Sequence, residues 1–241
     1  MPRTTRPRKP AAARTGRAAE ERVFNAVLDA ILDHRLAPGT KLVERDLAEL
    51  LGASRSAVRA ALSRLGHSLL VELRPNRGAV IANPSAAETR DVFEARRVIE
   101  SAVLQRLARG LTAKQAAELR AFIAEESRAY ERGDRKTGQR LSIRFHKLLS
   151  ELAGNAVLDR FMEGLISRTP LLTLAHRGPK LAYCGADEHR EIVEALARKD
   201  AALAVRRMGA HLASLESQLR LDDEEPLPEP TLAAALNGHA A

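Results

Sequence analysis

Cysteine, tryptophan and long apolar runs are scarce or missing from this chain. The single cysteine, Cys184, excludes an internal disulfide framework and fits a reducing compartment, so a cytoplasmic location is expected. No run of about 18 apolar residues occurs, so no membrane-spanning helix is expected. The N-terminus lacks the apolar core of a secretion signal. Aromatic residues make up only 3% of the chain and tryptophan is absent, so its cores must be built from Leu, Ala, Val and Ile. Strand-like patterning is also missing after Ile81, which makes everything beyond it helical or irregular.

What is present is enough for one large or two small domains: 241 residues, 45% of them hydrophobic. The net charge of +8 is unevenly placed. Residues 1–17 carry six cations and no acid, and residues 18–82 carry nine cations and eight acids. Residues 83–220 carry 24 cations and 18 acids, and the tail from Leu221 carries five acids and no base. Bulk charge therefore does not identify a nucleic-acid partner. The grouping of Arg45, Arg55, Arg59 and Arg77 within one short region does.

That region runs from Leu42 to Ala82. Val58, Ala61, Leu62 and Leu65 repeat at three- and four-residue spacing and define the apolar face of a helix. Arg55, Ser56 and Arg59 fall on another face near its start, and Ser54 is a suitable N-cap. A shorter amphipathic helix, Glu44 to Leu51, precedes it and closes at Gly52. Two short helices joined by a tight turn form a helix-turn-helix, whose second helix faces base edges in the major groove. Leu70–Leu73 and Ala79–Ile81 then read as two strands joined by a turn at Pro75-Asn76-Arg77-Gly78, which makes a wing.

The rest of the chain divides around this reader. Residues 1–16 read as a disordered basic tail, and residues 17–83 as the winged helix-turn-helix, opened by a helix from about Ala18 to His34. Residues 84–220 form a helical domain, with Asn83-Pro84-Ser85 as the hinge. Ser85, Thr112 and Asp200 are expected helix caps, Gly133-Asp134 and Gly154-Asn155 restart the chain, and Thr169-Pro170 breaks or kinks a helix. Residues 221–241 read as a disordered acidic tail. The fold class is mainly α: an N-terminal winged helix-turn-helix followed by an all-helical antiparallel bundle.

In the helical domain three histidines sit alike. His189 shares a face with Ile192, Val193 and Leu196, His211 shares one with Met208 and Leu215, and His146 lies within Phe145-His146-Lys147-Leu148. Inward imidazoles on three helices can meet at one cation, although an inward histidine is also a common hydrogen-bonded core residue. Imidazole suits Zn, Ni, Fe or Cu. Arg96 lies on an inward face, with Glu100 one turn on.

Pro38-Gly39-Thr40-Lys41-Leu42-Val43-Glu44-Arg45-Asp46-Leu47-Ala48, Ser54 to Arg59 and Pro75 to Val80 together resemble the DNA-binding domain of the GntR family of bacterial transcription regulators. Two positions depart from that pattern. Ala57 stands where the family usually has Pro, and Ser68-Leu69 where it usually has Glu-Gly. Leu does not readily take the positive φ that Gly allows, so a local change is expected there.

Phe145-His146, Asp187-Glu188-His189 with Ile192, and Asp200, Ala204, Met208 and His211-Leu212 resemble the FCD ligand-binding domain of FadR-type members. The resemblance implies a homodimeric regulator, most often a repressor. It would bind double-stranded operator DNA through Arg45, Ser54, Arg55, Ser56, Arg59, Asn76, Arg77 and Gly78. It implies a small carboxylate or similar anion as effector, contacted by Arg96; Arg168, beside the Pro170 kink, is a further candidate for that contact. It further implies a divalent metal, Zn, Ni or similar, on His146, His189 and His211. The family's acidic ligand would lie one turn before the first histidine, where this chain has Ser142. A metal-dependent hydrolase with an accessory DNA-binding-like domain is the alternative that three histidines suggest, though no His-Glu-x-x-His is present.

Overall fold

The computed structural model describes residues 11–74, 78–176, 185–221 and 232–236. The chain divides into two compact units, Met1–Asn83 with Leu227–Ala241, and Pro84–Pro226.

The first unit opens with α1 (Ala11–Leu32), then β1 (Lys41–Leu42), α2 (Glu44–Leu50), α3 (Arg55–His67), β2 (Val71–Arg74) and β3 (Gly78–Ile81). The helix begins seven residues earlier than the apolar pattern requires. Residues 1–10, most of the expected basic tail, lie outside the described residues. α3 buries Ala57, Val58, Ala61, Leu62 and Leu65 against α1 and α2, as its periodicity demands. Ser54 caps it, its hydroxyl accepting from the Ala57 N–H. Arg64 of α3 reaches back to Glu20 and Glu21 and lies 4.2 Å over the Phe24 ring of α1.

The sheet order is β1-β3-β2, all antiparallel, with Arg74 opposite Gly78 at the wing. The two-residue strand β1 carries no local pattern and exists only because Lys41 and Leu42 pair with Val80 and Ala79.

The second unit contains α4 (Ala86–Gly110), α5 (Ala113–Glu131), α6 (Arg135–Leu152), α7 (Ala156–Ala175), α8 (Ala186–Ala197) and α9 (Ala201–Ser217). Ser85, Asp134, Asn155 and Asp200 each accept a first-turn N–H, and Thr112 with Gln115 forms a capping box. α4 packs on α9 and α7, α5 on α6 and α8, and α8 on α9. Gly138 of α6 sits against the Tyr130 ring of α5, where an added Cβ would lie 2.6 Å from a ring atom.

Pro170 does not break its helix: α7 runs through it. Thr169, Pro170, Leu171 and Leu172 are all buried, and packing on that scale outweighs the one backbone bond that proline removes. The last helix, α10 (Leu232–Leu236), packs on α1 in the first unit and buries Ala235 and Leu236. It lies in the tail expected to be irregular. Its Leu-Ala-Ala-Ala-Leu stretch is helix-compatible, but it is held by a tertiary contact that composition does not reveal.

Leu69 takes φ +56° at the join between α3 and β2, so the chain keeps the left-handed turn without glycine. Its N–H and that of Leu70 bond to Gly66 and Leu65 carbonyls, which fixes the turn. The Leu69 side chain is 54% exposed and little packing depends on it. Leu69→Gly should therefore raise stability by about 0.5–1 kcal/mol, the relief of left-handed strain less the added chain entropy. Urea unfolding of both proteins measures this, and a loss of stability would mean the Leu69 side chain packs more than its exposure suggests.

Candidate functional site

The first candidate surface is the start of α3. Ser54, Arg55, Ser56 and Arg59 are all exposed there, opposite the buried apolar face. The Arg59 Nε donates to both carboxylate oxygens of Glu44, at 2.9 and 2.8 Å. This pair orients the guanidinium on an exposed face, where its contribution to stability is at most about 1 kcal/mol. Arg45 donates to the adjacent Asp46 at 3.1 Å, and Ser54 and Ser56 hydroxyls meet at 3.0 Å.

Asn76 and Arg77 lie outside the described residues. Gly78 starts β3 with φ +80°, and a Cβ there would run into the Leu42 carbonyl oxygen. That close approach of β3 to the end of β1 gives the glycine a structural reason to be there.

The second candidate is in the helical unit. His146 on α6, His189 on α8 and His211 on α9 are 3%, 0% and 1% exposed. Their Nε2 atoms converge: His211 stands 3.4 Å from His189 and 3.4 Å from His146, and all three ligand atoms lie within 4.8 Å of one another. Phe145 stacks on His189 at 4.2 Å and closes one side with an apolar ring.

Each imidazole donates its Nδ1–H to a carboxylate: His146 to Glu100 at 2.6 Å, His189 to Glu126 at 2.9 Å, and His211 to Glu188 at 2.7 Å. An ionised carboxylate only accepts, so the proton sits on Nδ1 and each Nε2 presents a lone pair. Three lone pairs facing one another repel unless a proton or cation stands between them.

The electrostatics agree. Burial pushes the His146 imidazole down to about 3, so it is neutral near pH 7. Burial opposes ionisation of Glu100, but the Arg96 guanidinium and the hydrogen bond from His146 outweigh that and hold the carboxyl below its usual range. With His146 neutral, Arg96 is the standing counter-charge. Glu188 is lowered chiefly by its hydrogen bond to His211. Glu126 is fully buried, and its Oε1 has no hydrogen-bond partner.

The donor set fits a divalent ion. Two ligands of a tetrahedral ion with bonds of ~2.0–2.1 Å stand roughly 3.3 Å apart, close to the two 3.4 Å Nε2 separations. Carboxylates behind imidazoles are the usual support of such ligands.

Arg96 is buried beside this cluster. Its Nε donates to Glu100 at 2.8 Å and its Nη1 to Thr169 on α7 at 3.3 Å. Arg168 instead pairs with Glu88 in the first turn of α4 and its side chain is mostly buried. Ser142 is buried one turn before His146. Cys184 lies outside the described residues.

Glu126 escaped sequence reasoning. Its signal was an acid on the Leu119, Ile123, Tyr130 face of α5, where an apolar residue belongs. Removing Glu100 should be costly, because it leaves Arg96 buried without its partner. Glu100→Ala should destabilise the chain by about 3–5 kcal/mol, read by denaturant unfolding; a loss under 1 kcal/mol would mean that water already solvates Arg96.

Comparison with known proteins agrees with this layout. Residues 19–81 match the bacterial regulatory proteins of the gntR family, and residues 91–214 match the FCD domain. The chain is 27% identical over 203 residues to the HTH-type transcriptional repressor RspR of Escherichia coli K12, covering 83% of this chain and 88% of that protein. It is 30% identical over 202 residues to the "Probable D-xylose utilization operon transcriptional repressor" of Paenarthrobacter nicotinovorans, with the same 83% and 88% coverage. A GntR transcriptional regulator from Rhodococcus sp. RHA1 superposes with a TM-score of 0.68 at 25% identity, over 83% of this chain and 97% of that one. The chain therefore belongs to the GntR family of bacterial transcription regulators, with an FCD domain as its helical unit.

Proposed function

We propose that this regulator is a homodimeric repressor whose operator affinity is set by a small carboxylate or similar anion bound with a divalent metal in the helical unit. The observation that carries this reading is the convergence of three neutral Nε2 lone pairs, each imidazole backed by its own carboxylate. His146, His189 and His211 hold the ion, Zn, Ni or similar, which supplies a Lewis-acidic position for an anion. Arg96 keeps Glu100 ionised, and through it fixes the His146 tautomer. Arg168, committed to Glu88, contacts effector only if that ion pair opens. The names of the two relatives above describe repressors, which supports the sign of the response. No helix among the described residues is long and apolar enough to cross a membrane, which is compatible with action in the cytoplasm.

At the DNA, Arg55 and Arg59 at the start of α3 read bases, Arg45 and the Ser54 and Ser56 hydroxyls position the helix on phosphates, and the wing at Asn76, Arg77 and Gly78 rests on backbone or minor groove. One such reader covers little DNA, so two address a pseudo-palindrome. Effector changes operator affinity only by its preference for one arrangement of the two readers.

Fluorescence anisotropy on the chain's own upstream DNA, at several salt concentrations and with and without chelator, tests both halves. Arg55→Ala and Arg59→Ala should each cost roughly 1–3 kcal/mol of operator binding, and unchanged affinity in both would remove α3 from the interface. Calorimetry on metal-free protein should give one divalent ion per chain, lost in His189→Ala. If wild type and His189→Ala take up the ion equally, the triad does not bind it.

A further inference from the structure

Ser142 is left over from this account. It sits on α6 four residues before His146, so the two side chains lie one above the other on the same face. It is 3% exposed and its hydroxyl has no hydrogen-bond partner. Other hydroxyls in the helical unit bond back to their own helix: Ser101 to Arg97 at 2.6 Å, Ser150 to Lys147 at 2.9 Å, and Ser167 to Gly164 at 3.2 Å. Ser142 does not, although a buried hydroxyl without a partner costs about 1–3 kcal/mol.

We propose that Ser142 is an anion-binding residue: its O–H donates to a carboxylate that takes the open position of the ion held by the three imidazoles. The inference rests on the metal reading of the triad and specifies which ligand completes it. Three neutral imidazoles leave both positive charges of a divalent ion without an anion in direct contact. Glu100, Glu126 and Glu188 stand on the far, Nδ1 side of the rings, so they offset charge at a distance without filling a coordination position. By the family resemblance a carboxylate at position 142 is the acidic ligand, which would fill that position and repel an incoming anion. Serine leaves it open and adds a hydrogen-bond donor. Metal and carboxylate consequently bind as a pair, each raising the affinity of the other by the same factor.

The test uses the full chain with Co2+ as the ion and acetate as a simple carboxylate, following the visible d–d absorption of bound Co2+ and its affinity. In wild type, acetate should tighten Co2+ binding by about fivefold or more and change the spectrum. In Ser142→Ala that tightening should shrink several-fold. Ser142→Asp should bind Co2+ more tightly in acetate-free buffer and lose the acetate response, because its own carboxylate takes the place. Without metal, Ser142→Ala should melt at or above wild type, since the hydroxyl is unpartnered; a lower melting temperature would show a structural role and overturn the assignment. An acetate response that is absent in wild type, or identical in all three proteins, would overturn the role of Ser142 while leaving the metal site standing. No uptake of Co2+ by wild type would overturn the triad reading, and this inference with it.

Discussion

Three imidazoles with their lone pairs turned toward one point, inside a core of Leu, Ala, Ile and Met, are the constraint on which the helical unit depends. Burying polar groups in such a core is unfavourable unless each finds a partner. Here the partner of every Nδ1–H is a carboxylate on a different helix: Glu100 on α4 for His146 on α6, Glu126 on α5 for His189 on α8, and Glu188 on α8 for His211 on α9. The pairs therefore fix the relative placement of five helices as well as the orientation of three rings. They also concentrate negative charge behind the rings, which Arg96 offsets at Glu100 and a central cation would offset further.

α7 connects to this cluster through Arg96. The Arg96 guanidinium bonds to both Glu100 and Thr169, and Thr169 directly precedes Pro170. At its other end, His176 donates a ring N–H to the Pro84 carbonyl at 2.9 Å, and its own carbonyl accepts from the Arg220 N–H. One helix is thus tied to the imidazole cluster near its middle and to the first residue of the helical unit at its end. A proline within α7 removes a backbone bond there and makes the helix locally easier to bend.

The DNA-reading unit rests on different physics. Its core is small and mainly apolar, with Thr40 as a buried polar residue, and its shape is held by tight backbone approaches: β3 against the end of β1 at Gly78, and the left-handed turn at Leu69. The exposed start of α3 contributes little to that stability, which leaves its cations available for another partner. Glu44 holds Arg59 in one orientation and so reduces the entropy lost when the guanidinium engages a base edge.

The sequence by itself determined what local chemistry controls. Caps at Ser54, Ser85, Thr112 and Asp200 were legible because each bond spans only three residues, whereas Asp134 and Asn155 were read only as restarts of the chain and the structure makes them caps too. The buried face of α3 and the inward placement of His189 and His211 followed from helical spacing. Tertiary structure decided the rest. β1 exists only through its pairing with β3, α7 passes through Pro170 because its flanks are buried, and α10 is held by α1. His146 and His211 are 65 residues apart, and no periodicity can say that their Nε2 atoms come within 3.4 Å. Glu126 was not singled out in the sequence, because its partner His189 lies 63 residues away. Spacing along one helix fixes which way a side chain points, whereas the packing of helices against each other decides what it meets.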